Sequence, residues 1–350
     1  MYGRKQSPFW GTFLSLLSTL YGAAITLRRA FYGLHILKRK GLPCPVISIG
    51  NITLGGTGKT PAVIQIAGLL SRERILPAVV SRGYARTDED EIVVVSDGGS
   101  ILVDAKRGGD EPVLIAVKLN GVPIVVGKNK YLAALLAVQR FNPDVVLLDD
   151  GFQHVQLKRD LDIVLVDAGN PFGNGRLFPK GVLREPLAAL KRAHAVLITR
   201  ADGAGDLEKL KAVIQRHTHA RIFTSCQVPV DVIDYRSGSS MPLSTLRGAK
   251  VLALAGIARP DSFFALLRSL GADVVSSCTY PDHFDYQKSD MADVFRQAAD
   301  AKISMIVTTE KDAVRLTHMN AEGIWALRIE LAVQEGDDWA QFLLKGLGHA

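Results

Sequence analysis

A glycine-rich segment that ends in Lys-Thr carries the strongest chemical signal in this chain. Gly55, Gly56 and Gly58 stand directly before Lys59 and Thr60. Glycine lets the backbone turn tightly enough for successive N–H groups to face phosphate oxygens, and the start of a following helix adds positive charge. A lysine in this position reaches the β- and γ-phosphates, and the threonine hydroxyl binds Mg²⁺. The segment therefore predicts a P-loop that binds a nucleoside triphosphate with Mg²⁺.

The predicted nucleotide contacts cover the whole loop. They are Thr53, Leu54, Gly55, Gly56, Thr57, Gly58, Lys59 and Thr60. Thr53 stands where the common pattern has its first glycine, and the paired glycines supply the flexibility instead. The alternative is a glycine-rich turn with Lys-Thr by chance. The flanking elements oppose that alternative, because an apolar strand-like run (45–49) precedes the loop and a helix-like run (62–70) follows it.

Two adjacent acids, Asp149 and Asp150, form the second signal. They follow the apolar run Val145-Val146-Leu147-Leu148. A buried strand that ends in an acid is what a P-loop enzyme uses beside Mg²⁺, and neighbouring carboxylates are costly unless a cation lies near them. The alternative is a solvated Asp-Asp-Gly turn. The presence of a P-loop favours the metal site.

Asp110 and His283 are less clear from the residues alone. Asp110 follows two glycines and precedes Glu111 and Pro112, so it fits a helix start as well as a functional acid. His283 follows Asp282, and the two form either an acid–base pair or an ordinary turn after Pro281. The residues leave both alternatives open.

These residues need a sheet that places strand ends side by side. Short Val/Ile/Leu runs alternate with helix-like segments, as in a parallel sheet covered by helices on both faces. The pattern predicts an α/β protein with a doubly wound, mostly parallel sheet of the P-loop NTPase type. A Ser/Gly/Pro-rich stretch, 228–248, predicts a boundary. The expected organisation is an N-terminal region 1–42, a P-loop domain 43–230 and a smaller C-terminal α/β domain 231–350.

The excess of positive over negative charge lies entirely in the N-terminal region. The chain has 350 residues and a net charge of +7, and residues 1–42 contain seven Lys or Arg and no acid. The rest is therefore balanced, which is not typical of a nucleic-acid-binding protein. Residues 8–27 carry no charge, with basic groups on both sides. They predict a helix that lies in the membrane surface on the cytoplasmic side; the alternatives are a membrane span and a helix docked on the protein's own core.

Taken together, several segments resemble the tetraacyldisaccharide 4'-kinase family, the lipid A 4'-kinases of Gram-negative bacteria. The resemblance runs in family order over nearly the whole chain. It is carried by residues 50–61, 81–86, 108–112, 148–154, 184–186, 255–260, 281–283 and 308–316.

The resemblance implies transfer of the γ-phosphate of ATP to the 4'-hydroxyl of a tetraacyldisaccharide 1-phosphate, which gives lipid IVA in lipid A biosynthesis. The enzyme would be a monotopic or peripheral protein on the cytoplasmic face of the inner membrane. Its partners would be the lipid substrate and the membrane surface, with no nucleic acid and no obligate protein partner implied. ATP and Mg²⁺ would be the cofactors.

Residue roles follow by matching positions. Asp110 would be the catalytic base and His283 its partner, and Lys59 would act on the transferring phosphoryl group. Thr60, Asp149, Asp150 and Glu185 would support the metal. One position departs from the family: an arginine is expected near position 130, where this chain has Lys130, which keeps the charge but loses bidentate phosphate recognition.

The main alternative is a membrane-surface switch ATPase of the type that partitions DNA or positions the division septum. Such proteins share a GGxGKT loop and an amphipathic membrane anchor. They carry a second lysine just before the paired glycines, where this chain has Leu54, and they do not need Asp110 or His283.

Overall fold

Alternating strands and helices build the described part of the chain. The structure, a computed structural model, describes residues 8–84, 86–88, 90–234, 237–303, 305–319 and 323–348. The helices are α1 (Pro8–Gly33), α2 (Lys59–Arg72), α3 (Ala105–Gly108), α4 (Asp110–Lys118), α5 (Lys130–Phe141), α6 (Leu207–Gln215), α7 (Pro260–Ser269), α8 (Lys288–Asp300), α9 (Glu310–Leu316) and α10 (Gly336–Gly346). The strands are β1 (Val46–Asn51), β2 (Pro77–Ser81), β3 (Val93–Asp97), β4 (Pro123–Val126), β5 (Val145–Asp149), β6 (Leu161–Asp167), β7 (Ala195–Thr199), β8 (Arg221–Ile233), β9 (Ser240–Pro242), β10 (Lys250–Ala255), β11 (Asp273–Thr279), β12 (Met305–Thr309) and β13 (Ile324–Val333).

The chain divides into two units, each with parallel strands. The first contains the residues up to Arg82, Asn129–Cys226 and the residues from Ala332 onward; the second contains Gly83–Lys128 and Gln227–Leu331. Residues 83–128, which the sequence assigns to the P-loop domain, thus group with the second unit. The division into domains at about residue 230 stays a prediction.

In the first unit, β1 lies at the centre of a parallel sheet. It pairs with β5 on one side and β6 on the other, so that Ile49 is opposite both Asp149 and Ile163. The sheet continues from β5 to β2 and from β6 through β7 to the start of β8. Every residue of β1, β2, β5, β6 and β7 is buried, as expected where helices cover both faces. The predicted doubly wound, mostly parallel fold is confirmed.

In the second unit, β10 lies between β11 and β12, and β12 pairs with β13, all parallel. Alternate side chains of β10 enter different cores. Val251, Ala253 and Ala255 pack with residues of α7, whereas Leu252 and Leu254 pack with residues of α8. This period of two is the signature of a strand with helices on both faces. The unit also holds the antiparallel pair of β3 and β4, and α4 packs against α9.

Helix α1 lies against the segment around Leu177 in the first unit. The Ser18 hydroxyl donates to the Leu177 carbonyl at 2.9 Å and accepts from the Lys180 amide at 3.0 Å. A Cβ on Gly22 would lie 2.8 Å from the Leu177 side chain, so glycine permits this approach. In the described part of the chain, α1 is the one helix long and apolar enough to cross a membrane, judged by length and composition alone.

The other side of α1 is apolar and exposed. Its exposed large residues are Trp10, Phe13, Leu16, Leu20, Leu27 and Phe31. Their spacings of three, four and seven positions keep them on one side of the helix, away from Ser18 and Gly22. A helix of a soluble protein normally turns its apolar side inward, and α1 does the opposite.

Candidate active site

The glycine-rich loop joins the end of β1 to the start of α2. Gly55 and Gly58 have φ angles of 102° and 85°, a region that favours glycine. The turn demanded by the loop therefore explains both glycines. Lys59 is the first residue of α2, where the backbone N–H groups and the helix dipole attract anions.

Neighbouring elements fix both sides of the loop. At its start, Thr53 forms a bridge with Leu183 and the Leu54 amide donates to the carbonyl of Val182 at 2.7 Å. At its end, Thr57 is buried; it accepts from the Asn51 amide group at 2.9 Å through its hydroxyl. These bonds restrain both ends of the loop, which lowers the cost of ordering it around phosphates.

Asp149 is the last residue of strand β5. It is buried beside β1, the strand that precedes the glycine-rich loop. Its Oδ2 accepts from the Ser81 hydroxyl at 2.8 Å, and its Oδ1 has no hydrogen-bond partner among the described residues. Burial is the largest influence and raises the pKa of Asp149, although the charge of Lys130 opposes it. A buried carboxylate oxygen without a donor is suited to a cation.

Asp150 is surrounded by positive charge. Its carboxylate oxygens lie 3.7 Å from the Lys59 ammonium and 2.8 Å from the guanidinium of Arg184. Burial alone would raise its pKa, but the charges of Lys59, Arg184 and Lys130 outweigh burial and lower the pKa of Asp150 to about 2. Asp150 also has a φ of 51°, which costs a non-glycine residue about 1–3 kcal/mol and is found preferentially at functional sites.

The side chain of Lys130 binds the backbone of this acidic turn. Its buried ammonium donates to the backbone carbonyls of Asp149 and Asp150, at 2.5 and 2.6 Å. Burial is the main cause that lowers the pKa of Lys130. The bonds tie the lysine to backbone oxygens, and a contact between Lys130 and phosphate stays a prediction.

Glu185 is buried among cations in the first unit. The guanidinium of Arg192 donates to both of its carboxylate oxygens at 2.9 Å, and the side chain of Gln153 donates to Oε1 at 3.1 Å. Arg29 of α1 lies 3.5 Å away. The carboxylate thus links α1 to the residues that follow β5. Its predicted support of a metal stays a prediction.

In the second unit, the structure brings Asp110 and His283 together. Nδ1 of His283 lies 2.9 Å from Oδ2 of Asp110. Asp110 is the first residue of α4, after Gly109 with a φ of 89°, and His283 has a φ of 60°. Because the Lys311 ammonium lies 3.2 Å from Nε2 of the imidazole and can only donate, Nδ1 carries the proton directed at Asp110.

Arg315 is a neighbour of Asp110 that was not predicted from the sequence. Its Nε donates to Oδ2 of Asp110 at 2.7 Å, and its Nη2 lies 2.6 Å from the same oxygen. Burial would raise the pKa of Asp110, but the bonds from His283 and Arg315 outweigh burial and lower it. Asp110 is therefore an ionised acid at neutral pH. The sequence signal was available in helix α9, where Lys311 and Arg315 are spaced to share one face.

Asp110, Glu111 and His283 also have ligand-type atoms within 4.8 Å of one another. A metal does not fit there, because Lys311 lies 2.7 Å from Glu111 and Arg315 already neutralises Asp110. The positive charge of this cluster comes from the protein itself.

A family model for tetraacyldisaccharide-1-P 4'-kinase matches residues 10–347. The chain belongs to this family. The resemblance inferred from the sequence motifs is thereby confirmed, and the membrane-surface switch ATPase is not favoured.

Members of the tetraacyldisaccharide 4'-kinase family are similar over nearly their whole length. The relative from Halothermothrix orenii is 40% identical, over 95% of this chain and 91% of that protein. The relative from Syntrophus aciditrophicus is 41% identical, over 98% and 94%. The crystal structure of LpxK from Aquifex aeolicus in complex with ATP matches with a TM-score of 0.81 and 30% identity, over 97% of this chain and 99% of that one.

Proposed function

We propose that this chain is a tetraacyldisaccharide 4'-kinase, which transfers the γ-phosphate of ATP to the 4'-hydroxyl of a tetraacyldisaccharide 1-phosphate. The product is the 1,4'-bisphosphate, lipid IVA, of lipid A biosynthesis. The family match over residues 10–347 carries the proposal. The loop from Thr53 to Thr60 would bind the nucleotide, and the pair of Asp110 and His283 would supply the base that such a transfer needs.

The first unit would bind the nucleotide. Backbone amides of residues 53–60 would face the phosphates, and Lys59 would stabilise the charge that develops on the transferring phosphoryl group. The donor set fits Mg²⁺, because the buried Oδ1 of Asp149 receives no hydrogen bond from the described residues and carboxylate and hydroxyl oxygens are the ligands Mg²⁺ prefers. Thr60 and Asp149 would hold the ion. Asp150 and Glu185 would support it through their negative charge and not as direct ligands, because Arg184 and Arg192 already contact their carboxylate oxygens. Bound Mg²⁺ neutralises charge on the β- and γ-phosphates.

Asp110 would accept the proton of the acceptor hydroxyl. Its lowered pKa keeps it ionised, and His283 and Arg315 both bind Oδ2, which leaves Oδ1 to receive the hydroxyl. A carboxylate with a lowered pKa is a weak base. Asp110 would therefore orient the hydroxyl first and take its proton late, as the bond to phosphorus forms.

Helix α1 supports attachment to the cytoplasmic face of the inner membrane. The exposed apolar side of α1 suits the acyl region of a bilayer, and the basic residues of the N-terminal region suit anionic headgroups. The bonds of Ser18 to Leu177 and Lys180 hold the helix along its own unit, which favours a helix lying in the surface over one that spans.

The test is transfer of label from γ-³²P-ATP, with Mg²⁺, to tetraacyldisaccharide 1-phosphate in detergent micelles. We expect the label in a bisphosphorylated lipid. ATP consumption with no labelled lipid would remove the kinase proposal and favour the membrane-surface switch ATPase.

A further inference from the structure

Two sequence segments have no role in the proposed reaction, although they are distinctive. They are residues 255–260, which follow β10, and residues 308–316, which contain helix α9. Both converge on the guanidinium of Arg315. While Nε binds Asp110, Nη1 donates to the carbonyl of Gly256 and to Oδ1 of Asp312, each at 3.0 Å.

Asp312 is fully buried and receives donors from four directions. Besides Arg315, the Tyr286 hydroxyl donates to Oδ1 at 3.0 Å, while the Gly256 amide at 3.0 Å and the Thr309 hydroxyl at 2.7 Å donate to Oδ2. A buried carboxylate with all its acceptor positions engaged is rigid. Asp312 therefore holds Nη1 of the Arg315 guanidinium in place, while Nε of the same group binds Asp110.

Gly256 is needed for this arrangement. A Cβ at this position would lie 2.7 Å from the Tyr286 hydroxyl and 2.9 Å from Oδ1 of Asp312. Neither atom belongs to a free side-chain end, since both are held by hydrogen bonds inside the core. Any residue larger than glycine at position 256 would therefore clash with Tyr286 and Asp312.

We propose that Arg315, Asp312, Tyr286 and Gly256 form a positioning network that holds the Asp110 carboxylate ionised and correctly oriented for the acceptor hydroxyl. The proposal rests on the proposed function, because it assigns these residues to the base of that reaction. None of the four is proposed to touch substrate. They act through Arg315, whose planar guanidinium joins two carboxylates in one fixed geometry.

Of the positively charged groups near Asp110, Arg315 contributes most to keeping its carboxylate ionised. Lys311 lies on the same helix, but it binds Glu111 at 2.7 Å and Asp282 at 3.2 Å. His283 carries a full charge only when protonated. Lys106, on neighbouring α3, pairs with Asp285 at 3.2 Å. Among the described residues, Arg315 is thus the permanently charged cation in direct contact with Asp110, and its loss should raise the proton affinity of that acid.

The experiment measures lipid phosphorylation against pH for wild type, Arg315→Met, Arg315→Lys and Tyr286→Phe. For Arg315→Met we expect the acidic limb of kcat/KM to move upward by about 1–3 pH units, the usual effect of an opposite charge on a carboxyl pKa. Arg315→Lys should restore the position of that limb but not the full kcat. Tyr286→Phe should lower kcat while the KM for ATP stays unchanged.

Two control variants separate positioning from stability. Arg328→Met breaks the ion pair with Asp231 in the same unit, and Tyr280→Phe removes a hydroxyl from a ring 5.1 Å from Tyr286. Both should leave the pH profile unchanged, and melting temperatures will identify variants that fail to fold. An Arg315→Met profile parallel to wild type, with a loss no larger than that of Arg328→Met, would overturn the proposal. A wild-type enzyme that labels no lipid would instead overturn the proposed function.

Discussion

The ammonium group of Lys59 lies 3.7 Å from a carboxylate oxygen of Asp150, and Arg184 binds the same carboxylate at 2.8 Å. The pair links the first residue of α2 to the turn after β5, because β1 and β5 are neighbours in a parallel sheet and their carboxyl ends meet at one edge. The cations at this edge hold Asp150 ionised, and Asp150 in turn orients the loop lysine.

Lys59→Ala should remove most nucleotide binding and transfer. The loop lysine is expected to act on the charge of the transferring phosphoryl group, and loss of such a group lowers kcat by roughly 100- to 1,000-fold. Nucleotide affinity and single-turnover transfer measure the two effects. The control is Lys209→Ala, an exposed lysine of α6. Full activity in Lys59→Ala would mean that the loop does not bind the triphosphate.

Asp110→Asn should keep nucleotide affinity and lose transfer by roughly 100- to 10,000-fold, the range for a general base. Asp261→Asn is the matched control, because Asp261 is an exposed acid in the first turn of a helix of the same unit. It should lose only its small interaction with the helix dipole. Normal turnover in Asp110→Asn would exclude Asp110 from the mechanism.

Asp150 should stabilise the fold in a pH-dependent way. Its folded pKa of about 2 is depressed below the ordinary 3.8, so its contribution is present above the unfolded pKa and is lost as pH falls through the folded value. For this partly exposed group we expect a contribution of about 1–2 kcal/mol.

Urea unfolding of wild type and Asp150→Asn checks this pH dependence. The difference in unfolding free energy should be the same at about pH 8 and about pH 5 and shrink only below about pH 4. A difference that already closes between the two higher pH values would show that another group titrates there.

The exposed side of α1 should carry membrane binding. A triple variant, Leu16→Glu, Leu20→Glu and Leu27→Glu, removes apolar area worth several kcal/mol at roughly 25 cal/mol per Å². Sedimentation with anionic vesicles should fall at least about tenfold, while activity on acceptor in detergent micelles remains. Leu132→Glu, an exposed leucine of α5, is the control. Unchanged sedimentation of the triple variant would place the membrane contact elsewhere.

Local sequence patterns were sufficient to predict the main features of the first unit. The loop before Lys59 and the acids after β5 are encoded within a few residues of the chain, and a parallel sheet brings adjacent strand ends together. The prediction of a doubly wound sheet followed from the same apolar runs. The contact of Asp150 with Arg184 could not be predicted in this way, because Arg184 lies 34 residues further along the chain.

The second unit shows what the sequence left open. Asp110 fitted a helix start as well as a base, and His283 fitted a turn as well as a partner. Their pairing joins the first residue of α4 to the segment between β11 and α8, which lies 173 residues further along the chain. Arg315 could be placed on a helix face from its spacing to Lys311, but its contact with Asp110 requires the topology of the unit.

Locating the new phosphate on the product tests the proposed 4'-phosphorylation most directly. The purified protein is incubated with ATP, Mg²⁺ and tetraacyldisaccharide 1-phosphate, and the lipid is analysed by phosphorus–proton correlation NMR. We expect a second phosphorus signal coupled to the proton at the 4' carbon. A phosphate at any other carbon, or inorganic phosphate as the only new product, would contradict it.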